Sequence, residues 1–150
     1  MYPLLDDPGL YAMTGGLPPT SLLELIDAYT ALESRRSPDG RELWFNWVIR
    51  ERSLNAVVGF VQATASPSQT LVAWLIGARW QGRGYASESA AALVNWLGRH
   101  GVAPIRACVH AGHGASQAVA RRARFKRTTE IRDGEEVWDY VPKNARAAND

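Results

Sequence analysis

The chain has 150 residues, of which 46% are hydrophobic and 21% are charged, and these proportions exclude a disordered or collagen-like chain. The net charge of +2 is too small by itself to indicate nucleic-acid binding. No apolar run approaches the roughly 18 residues of a membrane helix, and residues 1–10 lack the basic start of a signal peptide. The one cysteine, Cys108, cannot form an internal disulfide. We therefore expect a single cytoplasmic domain over residues 1–150.

The N-terminal half predicts one helix and three strands. Ser21 and Glu24 have the spacing of a capping box, and the helix after Ser21 carries an apolar stripe at helical spacing. The runs 43–50 and 55–65 are rich in aromatic and β-branched residues, which predicts an antiparallel hairpin. The run 71–76 is continuously apolar, which predicts a central strand buried on both faces. The stripe consists of Leu22, Leu25, Ile26 and Tyr29.

The C-terminal half predicts a β-α-β unit followed by a hairpin. A helix ends at Gly101, which is a typical C-terminal stop, and apolar residues alternate in a strand over 105–109. A short helix over 115–124 follows, and Asp133-Gly134 is a strong hairpin signal between the last two strands. Residues 143–150 are predicted to form a frayed tail. The expected fold is therefore mixed α/β.

A glycine turn, Gln81-Gly82-Arg83-Gly84, stands between the strand 71–76 and a helix. A helix N-terminus presents unpaired N–H groups and partial positive charge, and glycines let a phosphate approach the backbone closely. Arg83 adds a cation, so the turn predicts an anion site, although such glycines can also form only a tight turn. A P-loop needs a lysine that is absent here, and a Rossmann site needs an acid that is absent near Pro104.

Residues Gln81 to Ala86 match Q/R-x-x-G-x-G/A, the pyrophosphate-binding motif of the GNAT acyltransferases. The chain resembles the ribosomal-protein N-terminal acetyltransferase branch of that superfamily over residues 15–140. Support comes from the apolar strand before the motif, from Ala86-Ser87-Glu88 at the start of the helix, and from the segment His113–Ser116. The resemblance implies a GNAT-like, mostly antiparallel mixed sheet with a splayed central pair of strands and helices on both faces.

The chain departs from the family's pattern at three places. It begins without the usual first strand, so we expect an N-terminally short domain. His113 stands where asparagine is usual, and Arg124 stands where glycine often precedes Phe125.

The resemblance implies transfer of an acetyl group from acetyl-CoA to a primary amine, either a protein N-terminus or a small molecule. The backbone of Trp74 and Ile76 would pair with pantetheine, and Ser116 would assist the leaving thiolate, unless Ser116 only caps a helix. No metal, membrane or nucleic-acid partner is expected, and the protein would be a monomer or homodimer. The remaining cofactor-binding residues would be Gln81, Gly82, Arg83, Gly84, Tyr85, Ala86 and His113.

The general base is the least defined part of this prediction. Glu130, His110 and Glu135 are candidates, and Glu130 is preferred because it lies on the strand before the last hairpin turn. The tyrosine acid of many family members falls at Ala120 and is absent. An α-amine has a pKa near 8, so it reacts with little help. The alternative function is a non-catalytic acyl-CoA-binding module.

Two further groups have more than one interpretation. The basic cluster over 121–127 is either a solvated helix face or a group that steers the 3′-phosphate of CoA. Trp44 and Trp47 lie on opposite faces of a regular strand, so at most one of them is expected to line an acceptor pocket.

Overall fold

The computed structural model describes residues 1–13, 16–102 and 104–142. In this part of the chain the α-helices are α1 (Tyr2–Leu5), α2 (Leu22–Glu33), α3 (Tyr85–Arg99) and α4 (Gly114–Arg122). Short 3₁₀ helices cover Pro8–Tyr11 and Ala78–Trp80. The strands are β1 (Leu43–Glu51), β2 (Ala56–Ala65), β3 (Thr70–Ile76), β4 (Ile105–His110), β5 (Phe125–Arg132) and β6 (Glu135–Tyr140). The predicted tail over 143–150 lies outside the described residues.

The strands form a single sheet in the order β1-β2-β3-β4-β6-β5. Neighbouring strands are antiparallel except for β3 and β4, which are parallel. Among the described residues, the parallel pair is joined at Thr70–Ile105 and Leu71–Arg106, and the two strands diverge beyond Leu71 and Arg106. The sheet therefore has the mixed, mostly antiparallel order and the splayed central pair that the sequence predicts.

One face of the sheet, which we call the covered face, packs against α3 and α4. Ala90, Leu93 and Leu97 of α3 are buried there, at the spacing of one helical face. Strands contribute alternate residues to the same core, among them Val72 of β3 and Ala107 of β4. The alternation in β4 is therefore as predicted. No helix among the described residues is both long and apolar enough to cross a bilayer.

The opposite face, which we call the open face, is less buried. The prediction that β3 is buried on both faces was wrong, because Val72 and Ile76 are buried but Ala73 is exposed. The helices α3 and α4 pack their apolar residues against the covered face, so Leu71, Ala73 and Leu75 are left on the side without that cover.

Helix α2 begins where the sequence predicts but does not bury its apolar stripe. The Ser21 Oγ accepts a hydrogen bond from the Glu24 N–H at 3.1 Å, and the Glu24 carboxylate accepts one from the Thr20 N–H at 2.6 Å. Leu22 and Ile26 remain 54% and 48% exposed. The start of this helix is therefore fixed by local hydrogen bonds, while none of its residues is buried.

The N-terminal segment consists of two short helices, α1 and the 3₁₀ helix Pro8–Tyr11. Leu5 of α1 is buried, and Leu4 packs on Gly77, where an added Cβ would lie 2.6 Å from the Leu4 Cγ. Gly77 directly follows β3, so this contact places the N-terminal segment beside the end of the splayed strand.

Arg124 has a left-handed backbone conformation, with φ of +72°, at the point where α4 gives way to β5. A side chain in this conformation costs about 1–2 kcal/mol, whereas glycine adopts it freely but loses up to about 1 kcal/mol of conformational freedom on folding. The left-handed backbone at this position therefore explains why the family often has glycine there.

We expect Arg124→Gly to raise the free energy of unfolding by about 0.5–1 kcal/mol, which corresponds to a melting temperature about 1–4 °C higher. Differential scanning calorimetry measures both quantities. Arg99→Gly, in the last turn of α3, is the matched control and should be destabilising, because its backbone is helical. Equal losses of stability in the two variants would contradict this explanation.

Candidate functional site

The divergence of β3 from β4 leaves backbone groups of β3 without strand partners among the described residues. The Thr70 N–H donates to the Pro104 carbonyl at 2.8 Å, on the β4 side. Because backbone direction alternates along a strand, Val72, Trp74 and Ile76 also direct their N–H and C=O groups to this side. The ladder with β4 ends at Leu71, so these groups face a gap between the strands.

The side chain of Gln81 connects the glycine turn to the end of β3. Its Nε2 donates a hydrogen bond to the Ile76 carbonyl at 3.0 Å. This bond engages the Ile76 carbonyl and so fixes the orientation of the peptide group between Ile76 and Gly77. The Ile76 N–H, which belongs to the preceding peptide group, still faces the gap. The role of the motif glutamine is thus to hold the strand end against the turn.

The glycine turn has the geometry of an anion site. Gly82 and Gly84 have φ of +74° and +87°, and no atom lies within 4 Å of a Cβ added to either, so the space above the turn is open. Gly84 caps α3 without a side chain. The first hydrogen bond of the helix is donated by the Glu88 N–H to Gly84. In the described part of the chain, the N–H groups of residues 82–87 donate to no protein acceptor.

Arginines add positive charge beside the turn. The guanidinium of Arg83 lies 5.3 Å from the centre of a Trp80 ring, and that of Arg79 lies 5.1 Å from it. Trp80 itself is buried, so it is a fixed surface on which both cations are held near the N-terminus of α3.

The gap and the turn open into a cavity of about 250 Å³ between β3, α3 and α4, which we call the cofactor cavity. Arg83 and Glu130 do not line it, whereas Leu10, Trp80 and Arg122 do so in addition to the predicted residues. Leu10 has no periodic pattern around it that could have placed it here, and Arg122 belonged only to a basic cluster in the sequence. The predicted residues that line the cavity are Trp74, Ile76, Gln81, Gly82, Gly84, Tyr85, Ala86, His113 and Ser116.

Ser116 lies in the first turn of α4, half-buried, with its side chain lining the cofactor cavity. The N-cap of α4 is His113, so the alternative interpretation of Ser116 as the N-cap was wrong. Among the described residues, its hydroxyl makes no hydrogen bond within the chain, and it is therefore available to a ligand.

The candidate bases lie outside the cofactor cavity. The Glu130 carboxylate makes ion pairs with Arg106 and Arg132, each at 3.0 Å. The His110 Nδ1 accepts a hydrogen bond from the Gly112 N–H at 3.0 Å, so this ring nitrogen is engaged in the turn that follows β4. Glu135 on β6 pairs with His110.

Cys108 is half-buried on the same side of β4 as His110. Burial raises the pKa of its thiol, and the nearby Glu135 carboxylate raises it further. Since the thiolate is the nucleophilic form, this cysteine is protonated at neutral pH and unreactive.

The domain model for the acetyltransferase (GNAT) domain matches residues 4–126. The chain belongs to the GNAT acetyltransferase family. The resemblance stated from the glycine motif is thereby confirmed. No curated protein matches the chain.

Solved structures with the same fold include relatives of low sequence identity. A domain from Methanocaldococcus jannaschii has a TM-score of 0.72 and 18% identity, covering 92% of this chain and 87% of its own. A GNAT acetyltransferase from Bacillus anthracis has a TM-score of 0.68 and 18% identity, with 93% of this chain and 82% of its own chain covered. An aminoglycoside acetyltransferase in complex with coenzyme A has a TM-score of 0.71 and 16% identity, with 92% of this chain and 84% of its own chain covered. At these identities the similarity establishes the fold.

The protein is thus a GNAT acetyltransferase, and acetyl-CoA is the acetyl donor typical of that family. The residues present fit such a molecule on three counts. The open edge of β3 can pair with the amides of pantetheine, and the free N–H groups of the turn can bind the pyrophosphate. The open space above Gly82 and Gly84 lets the pyrophosphate approach the backbone closely.

We expect Gly84→Asp to abolish the rise in melting temperature that acetyl-CoA produces. A ligand that binds only the native state raises stability with its concentration, and the aspartate would place a side chain and a negative charge above the turn. The measurement is a thermal-shift titration with acetyl-CoA. Gly98→Asp, on the exposed side of α3, is the matched control and should retain the shift. A full shift in Gly84→Asp would contradict the assignment of the turn.

Proposed function

We propose that the chain transfers the acetyl group of acetyl-CoA to a primary amine, either a protein N-terminus or a small molecule. The observation that carries this proposal is the free backbone edge at Trp74 and Ile76 beside the open glycine turn. Acetyl-CoA supplies the acetyl group as a reactive thioester. The chain's own residues bind this donor, orient it and stabilise developing charge.

The glycine turn is the proposed phosphate site. The N–H groups of residues 82–87 would hold the pyrophosphate, assisted by the partial positive charge at the start of α3. Arg83, held on Trp80, adds long-range attraction rather than lining the cavity. Arg122 lines the cavity at the end of α4 and is the member of the basic cluster best placed to attract an anionic ligand.

The open edge of β3 is the proposed site for pantetheine. The backbone groups of Trp74 and Ile76 would pair with its amides as an added strand would. The Ile76 N–H then remains as one donor for the thioester oxygen, on which negative charge develops. The Gln81 side chain holds the Ile76 carbonyl, which belongs to the next peptide group, so we assign Gln81 a positioning role at this end of the strand.

Ser116 is the proposed group that assists the leaving thiolate. Its hydroxyl has no hydrogen-bond partner among the described residues, and it lines the same cavity as Trp74 and Ile76. A hydroxyl can donate to a sulfur atom that gains negative charge. His113, at the N-cap of α4, borders the same end of the cavity.

A general base is not part of the proposal. Glu130 is held by two arginines and does not line the cavity, so we assign it a structural role. A peptide α-amine is partly neutral near pH 7, whereas a lysine side chain, whose pKa is about 2.5 units higher, is almost fully charged. Peptide α-amines, and other amines with a similarly low pKa, are therefore the preferred acceptors. A cytoplasmic location, independence from metals and nucleic acid, and a monomeric or homodimeric state stay predictions.

We expect Ser116→Ala to lower kcat by about 10-fold or more while the Kd for acetyl-CoA changes by less than about 2-fold. An interaction that forms mainly in the transition state affects kcat rather than ground-state affinity. Steady-state kinetics and calorimetric titration separate the two quantities. Ser89→Ala, a half-buried serine of α3 outside the cavity, should behave as the parent. Equal losses in kcat and affinity would make Ser116 a binding residue only.

The same assay separates the enzyme from a non-catalytic acyl-CoA-binding module. Acetyl-CoA binding together with amine-dependent release of CoA supports the transferase. Binding without release, for every amine tested, would favour the module.

A further inference from the structure

Trp80, which directly precedes the glycine turn, carries a polar atom that the proposed function does not use. Its indole Nε1 is buried and makes no hydrogen bond to any described residue, and the residue is only 7% exposed. A buried donor without an acceptor is costly, and an acceptor that reaches it restores the missing hydrogen bond. Trp80 lines the cofactor cavity, so a molecule bound there can supply this acceptor.

The surrounding residues hold the indole in one orientation. Trp80 packs in an apolar cluster with Val58 and Ile76, and its ring meets that of Tyr85 almost edge-on, with ring centres 6.3 Å apart. The backbone N–H of Trp80 donates to the Gly77 carbonyl at 2.8 Å. The donor is therefore in place before a ligand binds, which lowers the entropic cost of binding.

The charges around the indole favour an anionic acceptor. The guanidinium groups of Arg79 and Arg83 lie 5.1 and 5.3 Å from the centre of a Trp80 ring. The acid in the first turn of α3, Glu88, is exposed and does not line the cofactor cavity. A hydrogen bond to an anionic oxygen is stronger than one to a neutral oxygen. The phosphates are the anionic groups of acetyl-CoA, so they are the favoured acceptors.

We propose that the indole Nε1–H of Trp80 donates a hydrogen bond to a phosphate oxygen of the cofactor, in addition to the N–H groups of the glycine turn. This inference rests on the proposed function, since it assigns a further residue to the same cofactor site. The side chains of Arg79 and Arg83 are exposed and move from the ring towards the incoming anion, which gives the phosphate access to the indole N–H. Trp80 thereby distinguishes a phosphorylated ligand from pantetheine alone.

The direct test is NMR of the six tryptophan indole N–H groups in the unmodified protein labelled with ¹⁵N. Sequential assignment identifies the Trp80 signal, which is followed in separate titrations with CoA, 3′-dephospho-CoA and pantetheine. We expect CoA to shift the indole proton of Trp80 downfield, as a new hydrogen bond does, and pantetheine to leave it unchanged. A shift retained with 3′-dephospho-CoA would assign the acceptor to the pyrophosphate, and a shift lost would assign it to the 3′-phosphate.

The other outcomes separate this inference from the proposed function. A Trp80 signal that does not move at saturating CoA, while the amides of the glycine turn do, would overturn the inference and leave the cofactor site intact. An equal shift with pantetheine would also overturn it, because pantetheine carries no phosphate. No change at any amide or indole with CoA would contradict the proposed function itself and this inference with it.

A matched pair of substitutions measures the contribution to affinity. Trp80→Phe should raise the Kd for CoA by about 10-fold, the effect of losing a hydrogen bond to a charged group, and leave the Kd for pantetheine unchanged.

Trp138→Phe is the control for this pair. The Trp138 Nε1 is also buried without a partner among the described residues, and its ring lies 5.8 Å from the Arg121 guanidinium, but Trp138 does not line the cofactor cavity. This variant should bind CoA as the parent does. Circular dichroism verifies that both variants are folded. A Kd for CoA that is unchanged in Trp80→Phe, or raised equally in the two variants, would overturn the inference.

Discussion

The short parallel contact between β3 and β4 is the constraint on which the rest of the site depends. Within the part of the chain that the structure describes, the strands are joined at Thr70–Ile105 and Leu71–Arg106. Trp74 lies on the covered face with its ring 6.3 Å from that of Phe125, so bulky core residues fill the space beneath the diverging strands. Unpaired backbone groups are costly when they are buried without a partner. The divergence is therefore compatible with stability only where water or a ligand satisfies the freed groups.

A network of charged side chains secures the closed end of this divergence. Arg106, at the start of β4, pairs with Glu130 at 3.0 Å and with Asp139 at 2.9 Å. Arg132 pairs with Glu130 and also lies 3.4 Å from the side chain of Gln69, directly before β3. These contacts connect β5 and β6 to the points where β3 and β4 begin. They support the structural role that we propose for Glu130.

Much of the fold and of the candidate cofactor site could be predicted from the sequence because those signals are local. The glycine turn, the capping box at Ser21 and the hairpin at Asp133-Gly134 each depend on a few adjacent residues. The open face of β3 could not be predicted, since an apolar run does not show which of its faces a helix will cover. The apolar stripe of α2 remains exposed for the same reason, since its spacing indicates a helix but not whether another element covers it.

Contacts between distant segments account for the parts of the site that the sequence did not predict. Leu10 reaches the cofactor cavity because α1 packs on Gly77, a contact that no pattern around Leu10 indicates. Glu130 was chosen as a candidate base from its place before a hairpin turn, but the sequence does not show that its carboxylate pairs with Arg106 and Arg132.

Amide NMR during a titration with coenzyme A tests the central claim most directly. If the splayed strands and the glycine turn form the cofactor site, the amides of Trp74, Ile76 and residues 82–87 should shift and become protected from hydrogen exchange. Amides of β1, on the far side of β2, should change little. Protection confined to β1, or the absence of any change at Ile76 and the turn at saturating ligand, would contradict the account.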